Sequence, residues 1–107
     1  MQEQVNAFNA RDGERFAECY ADDARVLAPD GNVMAAGKAE IRQLYSRLFE
    51  QSPDLRAQIV TRIEVGEFVI DEEQASGMVF EGMPAQMHAA VVYRVAGGRI
   101  RQSQLFM

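Results

Sequence analysis

The spacing of apolar residues changes at Ser52-Pro53 from a helical to a strand period, and this one change constrains the fold class most. Before it, Ile41, Leu44, Tyr45, Leu48 and Phe49 fall at i, i+3, i+4, i+7 and i+8, which puts them in one stripe along a helix over 38–51. Proline disfavours helical backbone at the residue before it, so the helix stops there. After it, Leu55, Ala57, Ile59, Thr61 and Ile63 alternate with Arg56, Gln58, Val60, Arg62 and Glu64, the period of a strand. Helices first and a run of strands afterwards is the α+β pattern, with the sheet curled round the striped helix.

The remaining elements follow from breakers and caps. Helices are expected over about 2–11 and 13–21, the second capped by Asp12 and carrying Phe16 and Tyr20 at i, i+4. Ala24 to Pro29 reads as extended, Asp30-Gly31-Asn32 as a turn and Val33 to Ala36 as the return strand. Strands are expected over 68–76, 86–95 and 99–106, the last two joined at Ala96-Gly97-Gly98. All 107 residues form a single expected domain, with no repeat or linker-like shift in composition.

Composition removes several function classes. Eleven basic against 16 acidic residues give net charge −5, the wrong sign for a phosphate backbone, so no nucleic-acid partner is expected. One cysteine, Cys19, and one histidine, His88, cannot build a multi-thiolate or two-imidazole metal site, and no calcium-loop spacing is present. No metal and no cofactor are implied, since phosphate and dinucleotide fingerprints are also missing. Without a membrane-spanning stretch or a signal-like N-terminus, a cytoplasmic protein with no membrane partner is expected.

Several strings together resemble the nuclear transport factor 2-like superfamily, in its SnoaL-like and steroid delta-isomerase-like branch. They are Phe8-Asn9-Ala10-Arg11-Asp12, Tyr20-Ala21-Asp22-Asp23-Ala24, Gly37 with Ile41 and Tyr45, Val65-Gly66 to Asp71-Glu72-Glu73, and Tyr93-Arg94-Val95 through Gly98-Arg99-Ile100. The resemblance implies a cone (the cystatin-like α+β barrel): a curved, mostly antiparallel sheet wraps a long helix and leaves a pocket at its wide end. Its members include isomerases, cyclases, dehydratases and hydrolases, but also carriers and subunits without chemistry, so the fold alone does not give the function.

The isomerase branch uses a carboxylate base and two oxyanion donors, a tyrosine and a protonated aspartic acid. In an ungapped register these roles fall on Ala28, Gln4 and Val91, none of which can fill them. A true ketosteroid isomerase is therefore not expected. Tyr20 and Tyr45 do match that branch's supporting tyrosines, and from two helices they would either hold a ligand or serve as core residues with hydroxyls at the rim.

Other chemistry rests on three candidates. Asp71 and Glu73 share one strand face and Glu72 takes the other, so at least one carboxylate points inward unless the strand end has already left the pocket. An inward carboxylate in an apolar cup has a raised pKa, which suits a general acid or base. Asp30 shares the parity of Ala28 but belongs to a turn and is expected in solvent. His88 is either a proton shuttle or a structural or interface residue; with the Val91 face inward, as the resemblance implies, it lies outside or at a dimer interface, unless a bulge after Pro84 reverses the face. Phe16, Ile59, Val91, Tyr93 and Ser103 are expected to complete the ligand-facing wall around Tyr20 and Tyr45. Met78, Met83 and Met87 either line a plastic mouth or fill gaps. Cys19, among acidic neighbours, is not a nucleophile.

Two functions stand side by side. One is a cofactor-free acid/base enzyme of isomerase, cyclase, lyase or hydrolase type, acting on a small apolar carbonyl, epoxide or polyketide-like compound. The other is a noncatalytic module for an apolar ligand or for dimerisation. A homodimer through the outer sheet face is expected, since Ala90, Val92, Ile100 and Phe106 share that face by parity.

Overall fold

The computed structural model describes residues 1–107. Two short helices, α1 (Gln2–Asn9) and α2 (Gly13–Glu18), precede the strands β1 (Tyr20–Leu27) and β2 (Val33–Ala36). The long helix α3 (Lys38–Gln51) follows, then β3 (Arg56–Val65), β4 (Phe68–Ser76), β5 (Met87–Ala96) and β6 (Arg99–Phe106). The six strands form one curved sheet in the order β2-β1-β6-β5-β4-β3, packed round the helices as an α+β cone. Four pairings are antiparallel as expected, but β1 and β6 run parallel.

α3 spans the predicted residues and buries the predicted stripe: Ile41 is fully buried, and Leu48 and Phe49 nearly so. Removing a side chain like Ile41 from water contributes about 2–3 kcal/mol. α2 starts where predicted, with the Asp12 carboxylate accepting from the Arg15 amide at 3.1 Å. The first two helices are shorter than their patterns. α1 stops at Asn9 because the Asn9 side chain is committed to β3: its amide donates to the Ala57 carbonyl at 3.0 Å and its oxygen accepts from the Ala57 N–H at 2.7 Å. Tyr20, expected on a helix, is the first residue of β1, since Cys19 ends α2 and its carbonyl accepts from the Ile100 amide of β6.

Bulges redirect two strands. Ile59 pairs with Glu73 but Thr61 with Glu72, so Val60 is an extra residue in β3. Beyond it the faces exchange, and Arg62 turns inward while Ile63 and Val65 lie half-exposed or more, at 51% and 63%. The simple alternation read from the sequence therefore breaks at Val60. Arg94 pairs with Gln102 but Val95 with Ile100, which makes Arg101 extra in β6. This bulge puts Ile100 in the core, 2% exposed, and removes it from the outer patch expected of it.

Candidate functional site

The inner face of the sheet, the three helices and the connection between β4 and β5 line a partly open cavity of about 100 Å3. α3 supplies Leu44, Tyr45 and Leu48 from its stripe, and α1 supplies Gln4, Val5 and Phe8. The central strands supply alternating residues, as the pleat requires: Val91 and Tyr93 from β5, Ser103 and Leu105 from β6. Each of the expected ligand-facing residues, Phe16, Tyr20, Tyr45, Ile59, Val91, Tyr93 and Ser103, is on this wall. Phe16 is the hub of the aromatic packing, with its ring centroid 4.2 Å from Tyr45 and 5.3 Å from Tyr20.

Polar groups in the cavity fall into two sets. One is a set of hydroxyl-bearing residues round a hydrogen-bonded pair: Gln4 Nε2 donates to the Tyr93 hydroxyl at 3.3 Å, with Tyr20 and Ser103 on the same wall. The other is Glu73, the one charged side chain on the wall. Burial, and secondarily the negative charge of Asp71, push the Glu73 carboxyl up to about 7. Tyr45 is raised by burial and by Glu73, so at neutral pH its hydroxyl keeps its proton and is a donor.

The three acidic neighbours on β4 have separate fates. Asp71 is fully buried, and Arg62 grips it with Nε and Nη2 at 2.7 and 2.9 Å, so its carboxylate is spent in an ion pair and does not line the cavity. Glu72 lies on the outer face, accepting from Thr61 Oγ1 at 2.9 Å and sitting 2.8 Å from His88 Nε2. Glu73 has neither partner and faces the cavity. His88 is exposed on the outer face beside Glu72, because it keeps the parity of Ala90 and Val92 while Val91 points inward. His88 thus stands outside the cup, and the Asp71 carboxylate is held in an ion pair instead of facing the cavity as expected.

Other positions are equally plain. Asp30 is exposed, its carboxylate accepting from the amide and side chain of Asn32 at 2.9 and 2.8 Å. Met78, Met83 and Met87 all line the cavity. Burial, then the charge of Glu3, raise the Cys19 thiol. Arg62 carries little signal of its own in the sequence. Its signal is the hairpin, in which Arg62 and Asp71 are equidistant from the Gly66-Glu67 turn, but only the Val60 bulge turns the pair inward.

A SnoaL-like domain matches residues 1–103, nearly the whole chain. The chain belongs to the SnoaL-like domain family. Its fold recurs in solved structures. An uncharacterised cystatin-fold protein from Novosphingobium aromaticivorans superposes with a TM-score of 0.88 at 23% identity, over 99% of this chain and 93% of that one. A protein with a ketosteroid isomerase-like fold from Catenulispora acidiphila, solved with trimethylamine, gives 0.79 at 16% identity over 99% and 82% of the two chains. A candidate polyketide cyclase from Sinorhizobium meliloti gives 0.79 at 17% identity over 96% and 89%. No curated protein matches the sequence. At these identities the SnoaL-like domain shares a fold with its neighbours, and its chemistry rests on its own cavity.

Proposed function

We propose that this SnoaL-like domain is a cofactor-free acid/base enzyme for a small apolar compound, with Glu73 transferring the proton. One observation carries the reading: an otherwise uncharged wall presents a single carboxylate without a hydrogen-bond donor or counter-ion. Its pKa of about 7 leaves both protonation states populated at neutral pH, the condition under which one group accepts and returns a proton efficiently. Tyr45 is a protonated donor near Glu73, and the Gln4–Tyr93 pair, with Tyr20 and Ser103 on the same wall, offers a second place to hold a substrate oxygen.

Ketosteroid isomerisation is not part of this reading. Val91 and Gln4, at the two expected donor positions, line the cavity but bring no acidic O–H, and Ala28 brings no base. The protein is further proposed to act as a homodimer, through the outer sheet face that carries Ile63, Phe68 and Phe106.

The test is deuterium exchange into the α-positions of cyclohexanone, followed by proton NMR. The wild-type protein is expected to accelerate exchange, and Glu73→Gln, which keeps shape and removes the base, to lose about 10²–10⁴-fold. Equal exchange by both proteins contradicts the assignment to Glu73.

A further inference from the structure

The part of the wall contributed by the β4–β5 connection is built as a fixed surface. Met78, Phe80 and Met83 project from it into the cavity. The connection is held by Ser52, which is fully buried just after α3. The Ser52 hydroxyl accepts from the Val79 amide at 2.8 Å and donates to the Val79 carbonyl at 3.1 Å. At its start, Gly77 sits at φ +75° against the Asp54 backbone, where any Cβ would collide with the Asp54 carbonyl. Further along, the Met78 amide bonds to the Ala85 carbonyl at 3.2 Å and the Met83 amide to the Phe80 carbonyl at 3.1 Å. The connection thus closes on itself as well as on α3.

The space left behind this wall is about 100 Å3. An apolar cavity of roughly 150 Å3 holds one benzene ring. Chemistry narrows the occupant further. No cationic side chain lines the cavity to receive an anion. Glu73 is the carboxylate without a donor, so a ligand completes it by bringing an O–H or N–H.

We infer that the cavity takes compact, neutral, single-ring molecules, held most tightly when they bear one hydrogen-bond donor, and that Ser52, by clamping the β4–β5 connection, is a positioning residue for this size limit. The inference rests on the acid/base reading for the role of the donor group. The size limit itself rests on the wall alone. Fused-ring compounds of three or four rings are excluded unless the connection lifts from Ser52.

Binding of phenol, 1-naphthol and 1-hydroxypyrene at pH 8, where Glu73 is mostly ionised, measured by calorimetry, tests this without any turnover. For the wild-type protein we expect saturable binding of phenol, with the Glu73 carboxyl carbon resonance moving on titration, and 1-hydroxypyrene weaker by about 100-fold, as overpacking a formed cavity implies. Ser52→Ala is expected to narrow that gap about tenfold by releasing the wall. If that variant fails to fold, Met83→Ala, which enlarges the cavity from a less buried position, is expected to improve 1-naphthol binding over wild type. No phenol binding, 1-hydroxypyrene binding as tight as phenol, or no relaxation in whichever variants fold would overturn the inference. Loss of the size ladder with exchange still dependent on Glu73 refutes the wall alone. An intact ladder with exchange independent of Glu73 refutes the acid/base reading alone.

Discussion

Arg62 closes a two-pronged ion pair on Asp71, at 2.7 and 2.9 Å, in the middle of the β3–β4 hairpin and on its inner face. The Asp71 side chain is wholly buried and that of Arg62 is 24% exposed. A buried carboxylate deprived of its partner is costly, whereas replacing both ions by apolar groups is often close to neutral. Arg62→Met is therefore expected to destabilise the fold by about 3 kcal/mol. The double variant Arg62→Met with Asp71→Leu is expected to recover most of that loss. Urea unfolding of the three proteins checks it, and equal stability of wild type and Arg62→Met would refute the pair's role.

Glu73 makes stability depend on pH in a defined direction. Its pKa rises from 4.5 to about 7 on folding, so between these values the folded state holds a proton that the unfolded state has released. The contribution of the neutral acid is complete below pH 4.5 and is lost as pH rises through about 7. The loss is on the order of 3 kcal/mol. Glu73→Gln is expected to be more stable than wild type at pH 8 and to differ much less at pH 4.5. A difference in melting temperature that does not vary over that range would be inconsistent with a desolvated Glu73.

The outer face predicts assembly. Ile63, Phe68 and Phe106 are 51%, 47% and 41% exposed, and Ile70 and Val92 lie partly buried on the same face between them. An apolar surface of this kind is usually covered. Light scattering at micromolar concentration is expected to return twice the 12.0 kDa chain mass. Phe68→Glu, which adds a charge to the patch, is expected to return one chain mass. A monomeric wild-type protein would contradict the proposal.

Periodicity made most of the fold legible. The α3 stripe and the Asp12 cap were visible because both depend on neighbours within one or two turns. The face of Glu73 was legible only as a parity relation with Asp71. Which of the two stayed free was not, because that depends on Arg62. Arg62 turns inward only through the extra residue Val60, and no local composition marks this bulge. Ile100 was misplaced for the same reason, by the extra residue Arg101. Tyr20 kept a helical i, i+4 relation to Phe16, yet β-pairing beside Ile100 overrode it. Gln4 was marked for the cavity only by its register with the isomerase branch's donor tyrosine, and Phe80 carried no sequence signal, since its place follows from how the β4–β5 connection packs.

Titration of the Glu73 carboxyl carbon by NMR is the most direct test of the central claim that this carboxylate stands desolvated and unpaired in the cup. The expected midpoint is near pH 7, against 4.5 for an ordinary glutamate, with the resonance identified by its absence in Glu73→Gln. A midpoint at or below about 4.5 would mean that Glu73 is solvated or paired, and would contradict the account.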